Sequence, residues 1–318
     1  MRERVKLAIV VPCYNEEEML PLSAPRLVGL MQSMIADGLV SPDSFMLYVD
    51  DGSRDSTWSI IEQLHMDNPM NHGMKFSRNC GHQNAILAGM LTAVQEEWQA
   101  GAVITIDADL QDPLECIPEM VREYLKGSDV VYGVRESRES DTFMKRFTAE
   151  SFYKLQARLG VKTIYNHADF RLMSRKVVLE LSKYEERNLY LRGIIPMLGF
   201  PSSRVLEVRA EREAGTTKYT LTKMLRLALD GITSFSITPI YIILALGFAA
   251  LIVALGIGIY VIVALTMGRT VPGWSSLMLS LWLIGGLTMI SIGVVGLYVG
   301  KVYMEVKHRP RYHIQKII

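Results

Sequence analysis

Apolar and polar positions divide this chain of 318 residues into two unlike parts. Up to about residue 230, short continuous apolar runs alternate with amphipathic stretches. Residues 7–11 form such a run, as expected of a strand buried on both faces, and Pro12 is expected to end it. Helix is then expected from about Met19 to Gly38, strand over 45–49, helix over 57–65 and a short strand over 73–76. A helix with many small residues follows over 83–99, then strand over 102–106, helix over 118–126 and strand over 130–132. This alternation predicts a parallel sheet covered by helices. Ligands of such sheets bind beyond the carboxyl ends of the strands. The polar clusters fall there: CYNEE after the first strand, DDGS after the second and DADLQD after the fourth.

The second part has a different pattern. Residues 231–268 contain no Asp, Glu, Lys or Arg, Arg269 interrupts, and residues 270–300 are again free of them. Each stretch exceeds the roughly 20 apolar residues that span a bilayer core. Two transmembrane helices are expected, near 240–267 and 277–298, joined by a short loop with Pro272 and Gly273. Trp274 suits the interface. Lys218, Lys223 and Arg226 precede this hairpin, and Lys301, Lys307, Arg309, Arg311 and Lys316 follow it. The positive-inside tendency then puts the domain at 1–230 and both termini in the cytoplasm, with 301–318 as a basic tail on an inner-membrane protein. Stretches near 145–159 and 217–235 mix apolar residues at helical spacing with basic ones. They are expected to lie in the interface, although helices packed on the domain would show the same pattern. A boundary is expected near 230.

Composition narrows the function. Lys and Arg total 34 against 33 Asp and Glu, a net charge of +1, which argues against nucleic acid as a partner. Cys13, Cys80 and Cys116 are widely spaced and odd in number, so neither a disulfide framework nor a zinc site is expected. The first apolar run is too short for a signal peptide, so none is expected.

The strand-end clusters carry the chemistry. Asp107 and Asp109 stand two apart just past a buried strand, and are hard oxygen ligands suited to Mg²⁺ or Mn²⁺, with Gln111 able to add a carbonyl. Such an ion can neutralise a departing diphosphate. Asp50 and Asp51 can accept from a base edge or ribose hydroxyl, Gly52 permits a tight turn, and Asp55 or Ser56 can cap the next helix. Tyr14 can stack on a base, and Asn15 and Glu16 offer polar contacts. Each cluster also has a bland reading, as a loop or a helix start.

Together and in this order, VVPCYNEEE, YVDDGSRDST and IDADLQDP resemble the large inverting glycosyltransferase family with the GT-A fold. FSRNCGHQNAILAGM, VVYGVRESR, ADFRLMSR, ERNLYLRGIIPMLGF and EREAGTTKYTLTKML further resemble its bacterial dolichol-phosphate mannose synthase-like branch, which includes bactoprenol glucosyltransferases. So does the hairpin ending in GLYVGKVYMEVKHRPRYHI. The resemblance implies an α/β, Rossmann-like nucleotide-sugar domain over a membrane anchor. It implies that Pro12, Tyr14, Glu16, Asp50 and Asp51 contact the nucleotide, and that Asp107, Asp109 and Gln111 hold metal and diphosphate. Arg212 and Lys218 would close over the diphosphate. Arg135 and Arg146 match the family's phosphate-binding arginines, and Arg138 is either a third or simply solvated.

Asp169 stands where relatives have a candidate base. A lipid phosphate is largely dianionic at neutral pH, with a second pKa near roughly 6, and needs no strong base. Asp169 is therefore expected to position groups with Arg171 or the metal, as well as or instead of taking a proton; a purely structural Asp–Arg pair is the alternative. His82 reads as a helix-start residue and His167 as a neighbour of the site. The QxxRW motif of processive synthases is absent, which favours transfer of a single sugar. The expected reaction moves one hexose from a nucleotide-sugar, with UDP-glucose the leading donor, to undecaprenyl phosphate for cell-envelope glycan modification. GDP-mannose, a UDP-N-acetylhexosamine and an aminoarabinose nucleotide are alternative donors, and an inactive membrane scaffold is the alternative of another class. Oligomeric state is left open, although relatives with this hairpin can form tetramers.

Overall fold

The computed structural model describes residues 4–109, 111–135, 167–186, 190–207, 238–267 and 273–318. The stretches expected in the interface and the boundary near 230 lie outside them.

The elements run β1 (Leu7–Cys13), α1 (Leu20–Ala36), β2 (Phe45–Asp50), α2 (Thr57–Asp67), β3 (Asn71–Phe76), α3 (His82–Ala93), β4 (Ala102–Thr105), α4 (Cys116–Lys126), β5 (Val130–Arg135) and β6 (His167–Ser174). They continue with α5 (Arg175–Leu181), α6 (Leu191–Met197), β7 (Ser202–Glu207), α7 (Thr238–Thr266), α8 (Trp274–Val306) and β8 (Ile314–Ile317). The sheet order is β7-β5-β6-β4-β1-β2-β3-β8. β1 lies at its centre, parallel to both β2 and β4.

Alternate residues of β1 serve two cores, as the two-residue repeat of a strand requires. Leu7, Ile9, Val11 and Cys13 pack with α1, α2 and α4, whereas Ala8 and Val10 pack with α3 and the α5–α6 region. Each fully buried Leu or Ile contributes about 1.5–3 kcal/mol. α3 comes unusually close to the sheet. A Cβ on Gly89 would fall 2.4 Å from Val10 Cγ1 and 2.9 Å from Val49 Cγ2. The small residues of this helix set that approach.

Four features depart from the sequence expectations. Pro12 does not end β1, which continues to Cys13. Val10 O accepts from Ile106 N, so the even positions of β1 face β4, and β4 stops at Thr105. Pro12 therefore stands where no neighbouring strand asks for its missing N–H. The helix expected over 83–99 ends at Ala93, and Gln99 turns the chain with φ 49°. The sheet is mixed, because β6 enters antiparallel between β4 and β5. Finally, residues 314–317, expected in a basic tail, form β8 antiparallel to β3.

That last strand returns the end of the chain to the α/β domain. Gly73 and Ile318 exchange backbone hydrogen bonds of 3.0 and 2.9 Å. Tyr312 stacks on Phe76 at 5.0 Å with an interplanar angle of 4°. Lys316 Nζ lies 2.7 Å from Glu62 Oε1, and Arg311 donates to the Tyr184 carbonyl. Before it, α8 contains a segment, Leu283–Val306, with mean hydropathy 1.9, long and apolar enough to cross a membrane. α7 covers the first expected span and holds the shorter apolar stretch Ile240–Ala249.

Candidate active site

The first two strand-end loops are fastened to each other. Asn15 N donates to Ser53 Oγ at 3.0 Å, Arg54 N to Asn15 Oδ1 at 2.9 Å, and Glu16 N to Thr57 Oγ1 at 2.9 Å. Asn15 accepts φ 53° to make this fit. Ser56 is the N-cap of α2 and makes no side-chain cap, whereas Asp55, one residue earlier, accepts from the Thr57 amide and hydroxyl through Oδ1. Pro12 is buried inside β1, while Tyr14 and Glu16 remain partly exposed on the loop.

Asp50 and Asp51 are both buried but differ in use. Asp50 Oδ1 accepts from Ser53 N at 2.9 Å, and its Oδ2 is buried without a hydrogen-bond partner among the described residues. Asp51 accepts from Cys80 N at 2.6 Å and Gly81 N at 2.9 Å. Burial pushes the Asp51 pKa up, and these two N–H groups only partly offset it. Asp51 thus latches the loop before α3, a structural use that its expected contact with the nucleotide did not anticipate. Gly52, at φ 66°, allows the same approach: a Cβ there would lie 2.4 Å from Arg78 C and 2.6 Å from Asn79 N.

The latched loop delivers His82, the first residue of α3, to the centre of the site. Its Nε2 lies 3.5 Å from Asp107 Oδ1 and 3.7 Å from Asp169 Oδ2. Burial favours the neutral ring, but the nearby Asp169 carboxylate and the charge of Asp107 outweigh it and push the pKa up to about 9.

Asp169 and Arg171 stand two apart in β6, so both project from one face, while Phe170 and Leu172 pack into the core on the other. Arg171 Nη2 is 2.5 Å from Asp169 Oδ1. Arg192, in the first turn of α6, holds the same carboxylate with both arms of its fork, Nε to Oδ1 at 3.2 Å and Nη2 to Oδ2 at 2.9 Å. Burial would raise the Asp169 pKa, but Arg192, His82 and Arg171 hold it well below the usual carboxylate range. Such a carboxylate is a weak base at neutral pH. Arg171 is fully buried, with Nε and Nη2 on Asp169 and Nη1 without a partner among the described residues. In this arrangement it supports the carboxylate rather than facing solvent.

Asp107 follows β4 and is about one-third exposed, whereas Asp109 is buried and accepts from Gln111 N at 3.2 Å. No group of three or more His, Cys, Asp and Glu side chains is placed to hold a metal among the described residues. Two carboxylates still fit a cation of the Mg²⁺ kind, which commonly takes one or two of them and completes its shell with phosphate oxygens and water. The backbone of Arg135 ends β5, and Arg138, Arg146, Arg212 and Lys218 lie outside the described residues. His82 and Arg192 are the side chains that sequence reasoning passed over. Both lie in stretches that carry the family resemblance, but their partners are 23 to 87 residues away, and only the fold brings them together. Among the described residues no cysteine is in a disulfide.

The family model for glycosyl transferase family 2 matches residues 8–182. An uncharacterized glycosyltransferase, YkoT, of Bacillus subtilis (strain 168) is 47% identical over 308 residues, which is 97% of this chain and 90% of the relative. The SfII prophage-derived bactoprenol glucosyl transferase of Shigella flexneri is 38% identical over 314 residues, 98% of both chains. A solved mannosyltransferase from Pyrobaculum calidifontis, in complex with GDP-Man and Mn²⁺, is 15% identical and covers 96% of this chain and 88% of its own, with a TM-score of 0.45.

Proposed function

Because this chain belongs to glycosyl transferase family 2 and is a glycosyltransferase, we propose that it moves one hexose, with inversion, from a nucleotide-sugar to a polyprenyl phosphate at the cytoplasmic face of the membrane. The observation that carries this reading is the likeness to a bactoprenol glucosyl transferase over 98% of both chains, apolar part included. UDP-glucose is the proposed donor, and the product serves cell-envelope glycan modification.

The geometry supports the same division of labour. Tyr14, Glu16 and the unmet Asp50 Oδ2 are proposed to receive base and ribose at the ends of β1 and β2. Asp107, Asp109 and Gln111 would hold the divalent ion, which when bound neutralises diphosphate charge. Arg135, Arg138, Arg146, Arg212 and Lys218 keep the phosphate-binding roles that the family resemblance assigns them. A phosphate oxygen attacks the anomeric carbon, the bond from that carbon to the diphosphate oxygen breaks, and its electron pair leaves with the nucleoside diphosphate. No proton has to move, so the low pKa of Asp169 is no obstacle.

β8 also bears on the anchor. The chain leaves the α/β domain before α7 and rejoins its sheet after α8. This return supports an even number of bilayer crossings. With Leu283–Val306 as one, α7 is proposed as the other, in the expected two-helix hairpin. Large exposed apolar side chains on both, such as Leu255 and Ile290, suit lipid rather than water.

The test is to incubate purified full-length protein with undecaprenyl phosphate, Mg²⁺ and a panel of labelled nucleotide-sugars. Glucose should pass to the lipid from UDP-glucose, and chelator should stop it. Transfer of no sugar would overturn the reading, and transfer of another sugar would reassign the donor.

A further inference from the structure

The reading above gives the acceptor's phosphate to Arg135, Arg138 and Arg146, while Arg171 is fully buried against Asp169. We propose that Arg192 and His82 complete that seat at the two non-attacking oxygens of the phosphate, with Asp169 holding both side chains in place. This rests on the acceptor being a lipid phosphate.

Four observations lead to it. First, the donors around Asp169 exceed what one carboxylate needs. Arg171, fully buried at 2.5 Å, already matches it charge for charge. Arg192 and His82 are added on the solvent side. Second, exposure is graded. The side chains of Asp169 and Arg171 are 8% and 1% exposed, whereas those of Arg192 and His82 are 33% and 47% exposed. An anion arriving from solvent meets donors before it meets the carboxylate. Third, His82 Nε2 sits 3.5 and 3.7 Å from its two carboxylates, beyond ordinary hydrogen-bond length. It can turn to a phosphate oxygen without giving up a tight bond, and an Nε2–H donates whether or not the ring is charged. It also opens the twelve-residue α3, whose N-terminal end favours an anion.

Fourth, the order across the sheet sets the Asp169 side of this seat apart from the donor. The nucleotide loops follow β2 and β1, the Asp107–Asp109 pair follows β4, and Asp169 lies on β6. Arg192 meets Asp169 there, and His82, carried by the loop latched to Asp51, reaches across to Asp107 and Asp169. In the reaction one phosphate oxygen bonds to the anomeric carbon as the carbon–diphosphate bond breaks. The remaining two oxygens then meet the imidazole N–H of His82 and the guanidinium of Arg192, whose Nε–Nη2 edge stays on Asp169.

The test uses the full-length protein in detergent with undecaprenyl phosphate and the donor that wild type accepts. Absence of transfer by wild type would sink the function proposed above before any variant is made. Given wild-type transfer, Arg192→Lys, Arg192→Ala and His82→Gln should each raise the KM for the lipid phosphate about tenfold or more, roughly the loss of one charge-assisted hydrogen bond. The KM for the nucleotide-sugar should stay within about twofold of wild type. A rise in the donor KM instead would move the seat to the diphosphate and overturn the proposal. Arg192→Lys keeps the charge and loses only the planar fork, so it serves if Arg192→Ala fails to fold, as judged by its thermal midpoint. A double variant separates the seat from a purely structural counterion. If Arg192 only neutralises Asp169, adding Asp169→Asn to Arg192→Ala restores the acceptor KM, and the proposal fails. On the proposal the double variant keeps the raised KM.

Discussion

At the scale of single residues, Asp169 shows how a buried charge can be at once costly and useful. Its carboxylate is held by Arg171, Arg192 and His82. Asp169→Asn would leave Arg171 buried without its partner, and the loss of stability expected at pH 7 is about 3–5 kcal/mol. Thermal or denaturant unfolding measures it. The sign with pH follows from the depressed pKa. The ion pairs stabilise fully above the unfolded value of about 3.9 and are lost as pH falls through the folded value. The gap between wild type and Asp169→Asn should therefore narrow below about pH 4. Between pH 6 and 8, wild-type rates should show no limb belonging to Asp169, because its carboxyl remains ionised throughout. Asp109→Ala should abolish turnover in the radiolabel transfer assay; near-normal rates would remove it from the metal set.

At the scale of elements, the consequential join is between the DDGS turn and the start of α3. Asp51 accepts two backbone N–H groups of the loop whose next residue is His82. Gly52→Ala should disturb the same join, since its φ is 66° and its Cβ would fall on the Arg78–Asn79 backbone. We expect a cost of about 1–2 kcal/mol from the left-handed conformation alone. A fall in kcat should accompany it, read from the transfer assay and the thermal midpoint together. The turn and the two carboxylates were legible in the sequence, and the alternation of strands and helices was too. β6 was not. Its interior carries Asp169 and Arg171, which break the apolar pattern that marks a buried strand, and only the pairing of these charges across elements makes their burial tolerable.

At the scale of the whole molecule, β8 returns the chain from the apolar helices to the sheet that carries the site. Deleting residues 311–318 would remove the Tyr312–Phe76 stack, the Lys316–Glu62 pair and the cover over Gly73. The thermal midpoint of the α/β domain should drop, while extraction from membranes still requires detergent. The proposed two crossings predict a second result. A cysteine at Thr270 should react in intact cells with a membrane-impermeant maleimide, and one at Arg309 should not. Reaction at Arg309 would overturn the proposed topology.

The sequence by itself determined the family, the strand-end carboxylates and the long uncharged stretches, because each depends on residues near one another along the chain. Local periodicity and motif spacing carry that information directly. Tertiary structure decided which side chains surround Asp169, that Asp51 latches a loop, and that the end of the chain closes the sheet beside β3. Those contacts join positions far apart in sequence. His82 and Arg192 look ordinary where they stand, at a helix start and in a short apolar helix, until the packing of α3 and α6 against β4 and β6 brings both to one carboxylate.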